Sequence, residues 1–248
     1  MNLEELLSEL RENLLRDNAE LASGPDDKLW SDATLVRYIN DAQQRFARKT
    51  LSLRDASTPE VTQVALATGI ASYALHASVL AVISGRYSTD TTDLVRVGRA
   101  RIMTTPKQDP AWFDPSTAAQ MNPGRPLALS TDETLDVDTK AVTLTVYPTP
   151  SATESGTIVY LRVARLPLDP FTLDTMDADC ELDQDYQLDM LEWAAFRALR
   201  TSDIDGHSDS AKAHESRFDD AVSEVLKDIR RKMQAPMQWE FGRGGFTW

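Results

Sequence analysis

The apolar period of this chain changes twice, and the two changes set its architecture. Up to residue 57, hydrophobic residues recur at helical spacing. From Thr58 to residue 170, β-branched and aromatic residues fall in short runs separated by proline and glycine, and after Phe171 the helical spacing returns. A sheet-forming segment bracketed by helical ones implies an α+β protein in which residues 1–57 and 171–233 build one helical domain and residues 58–170 an inserted β-rich domain.

Four helices are expected. Asn2 and Glu5 stand as a capping box ahead of Leu3, Leu6, Leu7, Leu10 and Leu14, giving one helix that ends near Asn18. Ser31 caps a second, with Leu35, Ile39, Ala42 and Phe46 on its buried face; the basic residues Arg45, Arg48 and Lys49 at its end complement the helix dipole. Leu188, Leu191, Ala195, Ala198 and Leu199 mark the third. Past a turn at residues 203–209, Ala211, His214, Phe218, Ala221 or Val222, Val225 and Ile229 mark a fourth that starts after His207 and ends near Met233. Amphipathic helices bury their stripes against one another, so these four pair as a bundle with the sheet projecting from it. Strands are expected within residues 61–66, 72–75, 79–87, 94–103, 126–129, 141–147 and 157–166.

The last fifteen residues read Q-A-P-M-Q-W-E-F-G-R-G-G-F-T-W. Trp239, Phe241, Phe246 and Trp248 stand close together at no helical spacing, with three glycines and Pro236 among them, so residues 234–248 are expected to be an extended tail. Ordering such a segment costs roughly 1–2 kcal/mol per residue, while burying a large apolar side chain returns about 1.5–3 kcal/mol. The balance falls near zero until a partner's groove adds contacts, which makes Trp239, Phe241, Arg243, Phe246 and Trp248 the candidate partner-binding residues.

Catalysis finds little support. The three histidines form no constellation, and no phosphate loop, nucleophile elbow or dinucleotide fingerprint is present. Cys180, the one cysteine, lies in an acidic run that raises its pKa; it excludes an internal disulfide and fits a reducing compartment. No cofactor is implied. Nine carboxylates and no Lys or Arg lie from Asp169 to Glu192. Asp177, Asp179, Glu181, Asp183 and Asp185 alternate as in a calcium loop, but Leu182 replaces the turn glycine and Leu188 the bidentate glutamate, so a solvated acidic loop is expected and no metal site is assigned. The most apolar run, residues 74–84, is too short to span a bilayer, no signal peptide is visible, and a net charge of −13 opposes general nucleic-acid affinity.

A series of short motifs resembles one family in order along the chain. It comprises L-W-S-D-x-x-L-V-R-Y-I-N-D-A-Q at residues 29–43, G-I-A-S-Y-A-L-H at 69–76, D-P-A-W at 109–112, N-P-G-R-P at 122–126, V-Y-P-T-P at 146–150, A-R-L-P at 164–167 and Y-Q-L-D-M-L-E-W-A-A-F-R-A-L at 186–199. Together they are similar to the head-to-tail adaptor, or connector, proteins of tailed bacteriophages. The resemblance implies a structural virion protein without enzymatic activity, made in the host cytoplasm and placed in the neck between capsid and tail. It implies a homo-oligomeric ring, usually of twelve copies, docked beneath the portal protein ring. Such a ring extends the DNA channel, touches the passing double-stranded DNA, and offers a platform to downstream tail or nozzle proteins, with no membrane involved. C-terminal segments of the family reach into the portal, the role read above for the aromatic tail. The alternatives are a stopper or terminator that does not touch the portal, and a calcium-binding module.

Overall fold

The computed structural model describes residues 1–17, 29–89, 93–96, 123–132, 142–201 and 207–241. The chain divides into two compact units, one of Met1–Leu53 with Pro167–Trp248 and one of Arg54–Leu166. The long helices lie in the first and the sheet in the second, the α+β arrangement expected.

In the first unit, α1 (Leu3–Glu9) opens on the capping box: the Glu5 amide donates to Asn2 Oδ1 at 2.9 Å, and the Asn2 amide donates to Glu5 Oε2 at 3.1 Å. The helix does not run on regularly to Asn18. It widens into a π-helical segment, Leu10–Leu15, and stops at Arg16 in the left-handed region. The sequence periodicity of leucines cannot register that widening, because the same leucines stay on one side. The stop coincides with Arg11, whose buried guanidinium donates to Asp17 at 2.7 Å, to Asp32 at 2.5 Å and to the Trp30 carbonyl at 2.8 Å.

The Ser31 hydroxyl caps α2 (Asp32–Thr50), whose Leu35, Ile39, Ala42 and Phe46 are fully buried. Of its terminal basic residues, Lys49 is tied by an ion pair of 2.6 Å to Asp219, so it joins helices besides complementing a dipole. Asp183 caps α4 (Gln184–Arg200), and α5 (His207–Phe241) packs along it. Leu188, expected in the core, is about half exposed; Gln187 is buried in its place. A ladder of rings holds the three long helices together. Phe218 of α5 lies 6.1 Å from Phe46 of α2 and 5.3 Å from Trp193 of α4, and is itself fully buried.

Among the described residues the second unit is an eight-stranded sheet. Its strands are β1 (Arg54–Asp55), β2 (Gln63–Ala65), β3 (Ser72–Ala74), β4 (Val79–Tyr87), β5 (Asp93–Arg96), β6 (Ala128–Asp132), β7 (Thr143–Tyr147) and β8 (Ile158–Arg165), joined in the order β1-β8-β4-β5-β6-β7-β3 with β2 also on β8. All pairings are antiparallel except β5 with β6, which links the two antiparallel groups. The strand expected at residues 61–66 is present as β2 from Gln63, but its first two residues belong to the short helix α3 (Pro59–Thr62): Pro59 sits at the first helical position, where a missing N–H costs nothing. Val159, Leu161 and Val163 of β8 alternate inward, β4 buries Val79, Val82, Gly85 and Tyr87 around two register shifts, and Gly85 lets Leu129 approach to where its Cβ would be.

Candidate functional site

The expected partner-binding tail meets the structure first at α5. The helix continues past Met233 and through Pro236 to Phe241, so residues 234–241 are helical where an extended tail was expected. Proline removes one backbone hydrogen bond and crowds the preceding turn. Met, Gln, Ala, Trp and Glu around it are tolerable to strong helix formers, and an established helix propagates more easily than it nucleates. Trp239 and Phe241 are thus carried on the last turns of α5, and Arg243, Phe246 and Trp248 lie outside the described residues, as does the D-P-A-W motif.

The remaining motifs resolve into joints. In Y-I-N-D-A-Q of α2, the Tyr38 hydroxyl pairs with the Thr201 hydroxyl at 3.1 Å, and Ile39 and Ala42 enter the core. Asn40 makes a two-way clasp on Phe171: its Nδ2 donates to the Phe171 carbonyl, and the Phe171 amide donates to its Oδ1, both at 2.9 Å. Asp41 accepts from Trp193 Nε1 at 2.8 Å and stands 3.7 Å from Arg197. Arg45 lies over the Trp193 ring at 3.7 Å.

The acidic run is a strap laid against the N-terminal segment. Backbone amides of Leu3 and Glu4 donate to the Ala178 and Met176 carbonyls, and the Cys180 amide donates to the Met1 carbonyl. The Met1 amine donates to Gln187 Oε1, and Gln187 Nε2 donates to the Leu182 carbonyl, both at 2.8 Å. Glu181 accepts from the Leu168 and Asp169 amides, and Asp183 from the Asp185 amide. Two of the five alternating carboxylates, Glu181 and Asp183, are therefore taken up by backbone amides, and among the described residues no group of three or more His, Cys, Asp or Glu is placed to hold a metal ion. Burial pushes the Cys180 thiol up to about 11, with its acidic neighbours adding a smaller push. Desolvation thus leads over the acidic sequence context.

Between α4 and α5, His214 Nδ1 and Glu192 Oε2 are 2.5 Å apart, with Arg217 3.8 Å from the other carboxylate oxygen. His214 is a satisfied structural histidine. His207 begins the same helix, which the sequence placed as starting after it. Asp189 nearby has its pKa raised, first by burial and then by Glu224 and Glu192.

In the second unit three motifs meet at one corner. The Gly124 amide donates to the Thr149 carbonyl, the Gly69 amide to the Pro150 carbonyl and the Leu127 amide to the Tyr147 carbonyl, beside a cis Tyr147–Pro148 bond. These contacts position backbone and contain no nucleophile beside a base. They are joints that hold loops in place, as a scaffold requires.

The family comparison agrees. The family model described as SU10 adaptor protein matches residues 1–240, and the chain belongs to that family of bacteriophage head-to-tail adaptors. The family is structural and not one of enzymes, and it implies a virion component associated with portal and tail proteins. No curated protein matches the chain. Among the described residues, no helix is long and apolar enough to cross a membrane.

Proposed function

We propose that this protein assembles as a ring beneath the portal in the phage neck, lengthens the DNA channel and presents a platform to the next tail proteins. The observation that carries the reading is the family match along residues 1–240, which spans both units and most of α5. Supporting it, α5 is a 35-residue helix, a rod of about 50 Å, that leads from the buried ring ladder around Phe218 to the aromatic-rich end of the chain. Trp239, Phe241, Arg243, Phe246 and Trp248 at that end are the portal-docking residues, the aromatics filling clefts between portal subunits and Arg243 meeting an acidic group. One such contact is weak, and many copies engaging one rigid ring make it tight.

The test is size-exclusion chromatography with light scattering on the protein alone and mixed with the cognate portal ring. A ring-sized complex with about one copy per portal subunit is expected from the full chain, and none after deletion of residues 234–248. A truncated chain that still decorates the portal ring refutes the docking role. A full chain that ignores the portal refutes the position in the neck.

A further inference from the structure

On the outer face of the second unit lies a cleft of about 590 Å³ whose floor is the β1–β8–β4 part of the sheet. Residues paired across antiparallel strands share a face. Ser84 is opposite Arg162, Arg86 and Gln63 are each opposite Tyr160, and Arg54 is opposite Ala164, two residues from Arg162. Arg54, Arg86 and Arg162 therefore stand on one face, with Arg162 between the other two. Among the described residues none of the three guanidinium groups has an ion pair or a side-chain hydrogen bond. Of the two carboxylates at the cleft, Asp55 is engaged by Arg165, which leaves Asp93 facing three guanidinium groups. Like charges gathered on one sheet face oppose folding, and a chain of net charge −13 has carboxylates in excess with which to separate them.

The counterpart is on the first unit. Asp169, Asp174, Asp177 and Asp179 are exposed on the strap, which the Asn40 clasp and the bonds to Leu3 and Glu4 hold in a fixed conformation. Guanidinium forks match carboxylates in planar, bidentate geometry, and because strand and strap backbones are already ordered, only side chains must be fixed on pairing. We propose that the arginine cleft of one copy receives the acidic strap of a neighbouring copy. Cleft and strap are different surfaces, so the contact is head-to-tail, the kind that propagates around a ring and closes on itself. This supplies a specific contact for the ring of the preceding section and rests on it. A duplex is a poorer occupant, since three arginines in one compact cleft do not make a phosphate track and the overall charge repels DNA.

Full-length chains are compared by sedimentation at low ionic strength, up to millimolar concentration. The wild type associates, and salt dissolves the association. Reversing the cleft with R86E/R162E, or the strap with D174K/D177K, weakens it by about tenfold or more for each reversed pair. The four exposed sites leave the fold intact, checked by circular dichroism. The two variants mixed in equal amounts associate, since every contact in an alternating chain is again complementary, and so does one chain carrying all four reversals. A wild type that stays monomeric throughout, or a fourfold variant that does not recover, overturns the proposal. So does an R86E/R162E chain that associates normally while losing affinity for inorganic phosphate or a short duplex, which would give the cleft to phosphate. Portal binding is scored separately on the same chains, so losing the copy-to-copy contact is told apart from losing the neck position.

Discussion

Asp55 and Arg165 meet at 2.7 Å across 110 residues of chain, joining the first and last strands of the inserted unit. The pair is buried on both sides, and Asp55 also accepts from the Thr58 hydroxyl and from the Ser57 and Thr58 amides. Burial alone would raise the pKa of this carboxyl, but those four donors outweigh it and hold the group well below its ordinary range.

Removing one partner leaves a buried charge uncompensated. Asp55→Asn is expected to cost about 3–5 kcal/mol, and a double change to apolar residues at 55 and 165 to recover much of it. Because the folded-state pKa is depressed, the stabilisation is complete above the unfolded value of 3.8 and is lost as pH falls below it. Hydrogen exchange resolved by segment should show acid opening β1 and β8 early in the wild type, with that pH dependence absent from Asp55→Asn.

Asp189 has the opposite sign. Its raised pKa means the folded state favours the protonated carboxyl, so its contribution is most favourable below the unfolded pKa and is lost as pH rises through the folded one. Asp189→Asn should melt at a higher temperature than the wild type at neutral pH, and the gap should close in acid. A gap independent of pH would show that the carboxyl's ionisation is not the cause.

Gly85 has no room for a side chain. An added Cβ would sit 2.7 Å from Leu129 Cδ2 and 3.2 Å from Leu161 Cδ2, and both leucines are buried, so they can yield only by repacking the core. Gly85→Ala is expected to destabilise the sheet by about 1–3 kcal/mol, read as a lower denaturant midpoint.

Cys180 is expected to resist alkylation in the folded protein. With the thiol pushed up to about 11, only about a thousandth is thiolate at mildly alkaline pH, and burial denies the reagent access. Labelling should become rapid when denaturant releases the strap from Leu3 and Glu4, so its rate reports strap opening.

Local signals were legible where local chemistry decides. The capping box of Asn2 and Glu5 and the Ser31 cap each follow from residues within a turn of one another. What escaped depends on distant partners. Gln187 is buried because the Met1 amine and the Leu182 carbonyl take its amide, and Leu188 is displaced to the surface as a result. The parallel pairing of Val95 with Ala128 leaves no periodic trace at either end. Pro236 read as a helix terminator, and α5 runs through it. The tail residues were picked out by composition alone, which identifies sticky side chains and says little about the backbone that carries them. Nothing in the sequence marks the cleft, because Arg54, Arg86 and Arg162 are far apart along the chain and become neighbours only through strand pairing.

Arg54 and Ala164 are direct partners in the sheet, so the chain enters the inserted unit and leaves it at one place. To the helices on either side, everything between those residues amounts to a single closed detour whose internal length does not alter the gap to be bridged. Loop closure depends only weakly on contour length. The sheet can therefore be lengthened, shortened or resurfaced from within, and the helical unit need not be redesigned to accommodate it.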